Sequence, residues 1–205
     1  MLGIIGLVVS LVALITWFNN AAVQTRKAAH TIAGIIKPNE NLLTTKPSTQ
    51  QRDIDNRGYD VVDAAKLYLH RGDKSQALKC LQRAIHEGGA RTVARAFFYK
   101  GEIAASELLP CSGIITNYEQ AISIYPWYGA SYVGCAECYK READELQSKG
   151  DVLGAKEYLA NAIAMLESTI PLCDDDVIPR ARSCEATCKE KIARINEIYG
   201  VSAST

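Results

Sequence analysis

Residues Asp60–Gly89 read DVVDAAKLYLHRGDKSQALKCLQRAIHEGG. Two apolar patterns of helical period flank Arg71-Gly72-Asp73, and they predict a tight helical hairpin. Gly72 suits the left-handed residue that ends a helix. Asp73 or Ser75 can cap the next helix by accepting a hydrogen bond from its free N–H groups. Tyr68 stands before the turn, with Ala77, Leu81 and Ala84 after it. Ala77 and Ala84 lie two helical turns apart on one face, where small side chains let a neighbouring helix approach closely.

This stretch resembles one tetratricopeptide repeat, a helical hairpin of about 34 residues that stacks on copies of itself. Counting from Gly58, the residues Tyr68, Gly72, Ala77, Leu81 and Ala84 fall on the signature places of that repeat. A single repeat cannot bury its own faces, so the resemblance implies neighbours, and the sequence offers two. A looser second hairpin runs from Thr92 to Leu109 and from Ile114 to Tyr125, turning at Pro110, Ser112 and Gly113. Its small residue is Gly101, and Pro126 closes it. A third hairpin carries Tyr132, Cys135, Ala136 and Tyr139, then turns at Lys149-Gly150-Asp151. Its glycine comes two helical turns later than in the first hairpin, which keeps the apolar face in register along a longer helix. Ala155, Leu159, Ala162 and Ile163 repeat the places of Ala77, Leu81, Ala84 and Ile85. A last helix opening at Pro179 and running to about Tyr199 places Ala181, Cys184, Cys188, Ile192 and Ile195 on one side. Stacked hairpins need such a polar-backed closing helix. The expectation is an all-α, tetratricopeptide-like solenoid over 58–199, with a short 200–205 tail.

The N-terminal part reads differently. Leu2–Phe18 carries no charged side chain. As a helix it covers about 25 Å at 1.5 Å per residue, and continuation to Val23 brings it to the roughly 30 Å of a hydrocarbon core. The alternative is a cleaved signal peptide, but Lys and Arg are missing before the run and no small-x-small site follows closely. A retained single-pass anchor over 1–23 is expected, contacting the lipid bilayer through Leu2–Phe18. Arg26, Lys27 and Lys37 follow it, which keeps the bulk of the chain on the cytosolic or matrix side. The pattern resembles the signal anchors of mitochondrial outer-membrane proteins, so a mitochondrial membrane is favoured. Residues 24–57 read as a juxtamembrane helix ending at Pro38, then a polar linker without period.

The 205 residues hold 23 basic and 23 acidic side chains. With no basic surplus, nucleic-acid binding is not expected. Catalysis finds no constellation either: His30, His70 and His86 stand without nucleophile or metal partners at a usable spacing. Neither a small-molecule substrate nor a cofactor is implied, and the chain is read as not an enzyme. Asp174, Asp175 and Asp176 lack the further ligands of a calcium loop and suit a helix N-terminus. There are seven cysteines, an odd number that cannot all pair internally. Cys135 with Cys138, and Cys184 with Cys188, each present two sulfurs on one helix face. Burial in the core is the leading reading, with disulfides or a four-thiolate zinc site as alternatives.

The resemblance also implies where a partner sits, namely the groove lined by the first helix of each hairpin. The carboxylate clamp of the chaperone-binding members maps here onto Val62, Lys66, Tyr99, Ala130 and Gly134, of which only Lys66 is basic. Acidic chaperone tails are therefore not the expected ligands. The groove is expected at Tyr59, Val62, Lys66, Phe98, Tyr99, Val133 and Glu137, a mixed aromatic and aliphatic lining suited to a helix or an extended apolar segment. A membrane-anchored interaction module is expected, either a scaffold or accessory subunit of a membrane complex, or a transient receptor of the mitochondrial import type.

Overall fold

The computed structural model describes residues 57–199. All of them lie in one of the two compact units into which the chain divides, Pro38–Thr205. The expected anchor, the linker up to residue 56 and the tail lie outside the described residues. Among the described residues no helix is long and apolar enough to cross a membrane.

Those residues form seven α-helices and no strand. They are α1 (Tyr59–His70), α2 (Lys74–Glu87), α3 (Ala90–Ser106), α4 (Cys111–Ile124), α5 (Gly129–Ser148), α6 (Val152–Thr169) and α7 (Ile178–Tyr199), with one 3₁₀ turn at Ile170–Leu172. Each helix packs on the one before it and the one after it in the chain. The closest partners are α1 with α2, α3 with α4 and α5 with α6, and α7 lies against α6 and α5. The odd-numbered helices also touch each other in succession, so they share one face of the stack.

The turns explain why the chain reverses where it does. Gly72 has φ 78° and Gly150 has φ 81°, the left-handed region that glycine enters at little cost. At the first turn the Asp73 N–H donates to the Tyr68 carbonyl at 2.9 Å, and Gly72 N–H to Leu69 at 3.0 Å. At the third, Asp151 N–H donates to Leu146 at 2.9 Å and Gly150 N–H to Gln147 at 3.0 Å. These are the paired bonds of a Schellman cap. Each following aspartate caps the next helix: Asp73 Oδ1 accepts from Gln76 N–H and Asp151 Oδ1 from Gly154 N–H, both at 3.0 Å. The same Gly-Asp chemistry is thus used twice.

The second turn departs from the sequence expectation. The helix expected to reach Leu109 stops at Ser106, because Leu108 takes up the left-handed position with φ 55°. The backbone bonds are of the same kind, Leu109 N–H to Ala104 and Leu108 N–H to Ala105. A leucine there carries a steric cost that glycine avoids.

Small residues set the packing. Ala65, Ala77, Ala84 and Ala96 are fully or almost fully buried beside Val62, Leu81 and Ile103, with Tyr68 and Ile85 packed at the edge. Between α3, α4 and α5 the key group is the Tyr118 ring, 1% exposed. A Cβ on Gly101 would come within 2.5 Å of it and one on Gly134 within 2.6 Å. The ring therefore fills the space left by two glycines on opposite neighbours. On α7, Ala181, Cys184, Cys188 and Ile195 are buried, while Ile192 is only half-buried.

Candidate functional site

The shared face of α3, α5 and α7 holds an open cleft of about 610 Å³. Its floor is Tyr118 and Gly134, and its walls include Glu102 from α3, Lys140 from α5 and Arg180 and Ser183 from α7. Because the Tyr118 ring sits between the two glycines, its hydroxyl emerges at the cleft and donates to Glu102 Oε1 at 2.7 Å. Arg180 ties the walls together. Its Nε donates to Glu137 Oε1 at 2.7 Å, while Nη1 and Nη2 donate to Glu102 at 3.2 and 3.0 Å. One guanidinium thus spans two carboxylates on neighbouring helices, the planar fork geometry that Arg supplies and Lys does not.

The electrostatics follow from that geometry. The hydrogen bond to Glu137, reinforced by the one to Glu102, raises the Arg180 pKa above the ordinary guanidinium range, against the effect of burial. Burial, then the charge of Glu102 and the bond to it, raise the Tyr118 hydroxyl well above the usual phenol range. Further along the cleft Asp144 pairs with Lys191 of α7. Among the described residues neither Lys140 nor Arg141 has a carboxylate at ion-pair distance; Arg141 is held by Cys111 and Leu109, while Lys140 lies near the Cys184 and Cys188 thiols. This arrangement can receive a segment that brings a carboxylate or a carbonyl to Lys140.

The residues expected to line the groove divide into three groups. Val62 and Val133 are fully buried and Phe98 is 5% exposed, so these three belong to the core. The Phe98 ring packs between Tyr118 at 5.7 Å and Tyr128 at 5.5 Å, centroid to centroid. Tyr59, Lys66 and Tyr99 are half-buried at the α1–α3 end. There Arg95 stacks on the Tyr59 ring at 3.7 Å from its centroid and donates to Asp63 at 3.1 Å. Glu137 joins the Arg180 network. The observed cleft carries ionic side chains at its α5–α7 end, with Glu137 the one residue it shares with the expected groove.

The sulfurs lie in the core, as the leading reading of the sequence had them. Cys135, Cys138, Cys184 and Cys188 are all buried, and none is in a disulfide. No group of three or more metal-ligating side chains occurs among the described residues. The four do not converge. Cys184 and Cys188 stand one turn apart along α7. Cys138 instead meets Cys111, at the start of α4: the Cys111 thiol donates to the Cys138 carbonyl at 3.5 Å. Arg141 Nε donates to the Cys111 sulfur at 2.9 Å, and its Nη2 to the Leu109 carbonyl at 2.6 Å. The neighbouring Cys138 thiol, helped by the bond from Arg141, holds Cys111 below the ordinary thiol range in spite of burial.

Sequence reasoning missed Glu102, Tyr118, Arg141, Arg180 and Cys111. Glu102 and Glu137 recur at about one repeat length, the one signal that could have drawn them together. The comparisons add nothing to this geometry: no protein-family model matches the chain, and no curated protein matches it either.

Proposed function

We propose that the chain is a non-catalytic, membrane-anchored interaction module of the tetratricopeptide-like kind, serving as a scaffold or accessory subunit of a membrane protein complex. The described helices pair as hairpins, repeat one Gly-Asp turn and end on a closing helix, which supports a solenoid reading. The uncharged Leu2–Phe18 run supports the anchor, and the basic residues after it support a cytosolic or matrix-facing domain, with a mitochondrial membrane favoured.

The observation that carries the proposal is the Arg180 bridge between Glu102 and Glu137. It fixes α3, α5 and α7 in position before any partner arrives. Pre-organisation of this sort reduces the ordering cost of association. The partner is a protein segment that lies in the cleft and meets Lys140 with an acceptor group.

A transient receptor role, of the kind played by mitochondrial import receptors, is favoured only by the openness of the cleft. Detergent co-purification separates the two. A stoichiometric partner that survives washing, and is lost in Lys140→Glu, supports the subunit role. Recovery of the chain alone from gently solubilised membranes contradicts it.

A further inference from the structure

We propose that Cys111 and Cys138 form a hydroperoxide-responsive dithiol, whose disulfide staples the start of α4 to α5 beside the cleft. The proposal stands on four features of one place. The Cys111 thiol on α4 donates at 3.5 Å to the backbone carbonyl of Cys138 on α5. A guanidinium donates to the Cys111 sulfur at 2.9 Å. Cys111 is the first residue of α4, where the helix dipole favours negative charge. Finally, Cys138 and Arg141 both line the open cleft, so the pair lies at its edge although the cysteines are only 2% and 5% exposed.

The second pair shows why this one is singled out. Cys184 and Cys188 are also buried, but they stand one turn apart on the same helix. Cβ atoms at that spacing are about 5–6 Å apart. A disulfide requires about 3.5–4.5 Å. Bridging them means unwinding α7, whereas Cys111 and Cys138 come from different helices, so no helical spacing fixes their separation.

The chemistry balances with a hydroperoxide as the oxidant. The Cys111 sulfur attacks the near peroxide oxygen, the O–O bond breaks, and the departing oxygen leaves with the thiol proton as water or an alcohol. Cys111 is now a sulfenic acid. The Cys138 sulfur attacks it, the S–O bond breaks, and hydroxide leaves with the Cys138 proton as water. Two thiols lose two electrons, and the peroxide gains them. Arg141 stabilises the attacking sulfur in the first step. In a reducing compartment such a bond is transient and reversible by thiols.

The test treats the full chain in detergent with hydrogen peroxide, blocks remaining thiols by alkylation and maps the products by mass spectrometry. A peptide pair joined through Cys111 and Cys138, removed by dithiothreitol, is expected before half-buried Cys80 and Cys173 are oxidised. Arg141→Gln should slow its formation about tenfold, the equivalent of one pK unit at the sulfur, and Arg141→Lys should recover part of the rate. In Cys138→Ser the reaction should halt at a sulfenic acid on Cys111, trapped by a dimedone-type reagent, while Cys188→Ser changes nothing. Oxidation of Cys80 with Cys111 untouched, a Cys111 bond to any other cysteine, or an unchanged rate in Arg141→Gln would overturn the proposal.

Discussion

Arg180 on α7 reaches Glu137 on α5 with its Nε 2.7 Å from Oε1, and the same guanidinium holds Glu102 on α3. Three helices distant in sequence are joined by a single side chain. The groups are about one-third exposed, so water screens the pair and its worth to stability is modest. Arg180→Ala should cost about 1 kcal/mol and lower the melting midpoint by about 2–4 °C. Arg180→Lys should recover little, because an ammonium cannot span both carboxylates in one plane. Thermal melts of the three proteins measure this, and a variant melting like the parent would show that the bridge adds nothing.

Leu108 offers the opposite sign. It holds φ 55° and is 82% exposed, so it carries backbone cost and gains little burial. Leu108→Gly should stabilise by about 0.5–1 kcal/mol, the left-handed penalty relieved less the entropy glycine loses on folding. Gly72→Ala and Gly150→Ala should destabilise by about 1–2 kcal/mol, with no steric neighbour to share the blame, since nothing lies within 4 Å of either added Cβ. Chemical denaturation reads all three, and matching signs at Leu108 and Gly72 would refute the account of the turns.

The hairpin turns show how far the sequence could be read. Gly72-Asp73 and Gly150-Asp151 announce their conformation through residues chosen for it. Leu108 adopts the same conformation with no such residue, so the end of α3 was placed too late. At the site, Val62, Phe98 and Val133 were assigned to the groove from repeat places, yet they point into the core. Helical periodicity tells which face a residue shares but does not fix how far that face turns toward the neighbouring hairpin. Arg180 with Glu102, and Cys111 with Cys138, are encounters between separate helices, and no local pattern encodes them.

Packing around Tyr118 gives a third expectation. Gly134→Ala places a methyl group 2.6 Å from the ring, and Gly101→Ala one at 2.5 Å. Each should cost about 1–3 kcal/mol through overpacking, as should Ala77→Leu and Ala162→Leu at fully buried helix contacts. Unchanged melting in Gly134→Ala would mean that α5 does not press on the ring.

Stability should also fall at high pH. Burial first, and the charge of Cys135 second, push the Tyr132 hydroxyl up to about 12, and Tyr118 is raised as well. An unfolded tyrosine titrates near 10. The folded value is the higher one, so the contribution is complete below about pH 10 and is lost as pH rises toward 12. Melting midpoints should be level up to about pH 9 and decline beyond it, less steeply in Tyr132→Phe. A midpoint that stays constant to pH 11 would contradict the burial of these hydroxyls.

The central claim is that the α3–α5–α7 cleft is where a partner protein binds. Site-specific photo-crosslinking in native membranes tests it most directly, with the photoreactive residue at Ser183 in the cleft wall and, as control, at exposed Gln120 on α4. The account predicts one discrete membrane-associated adduct from Ser183 that is absent from Gln120 and lost when Lys140→Glu is added. Equal labelling from both positions, or an adduct from Gln120 alone, would contradict it.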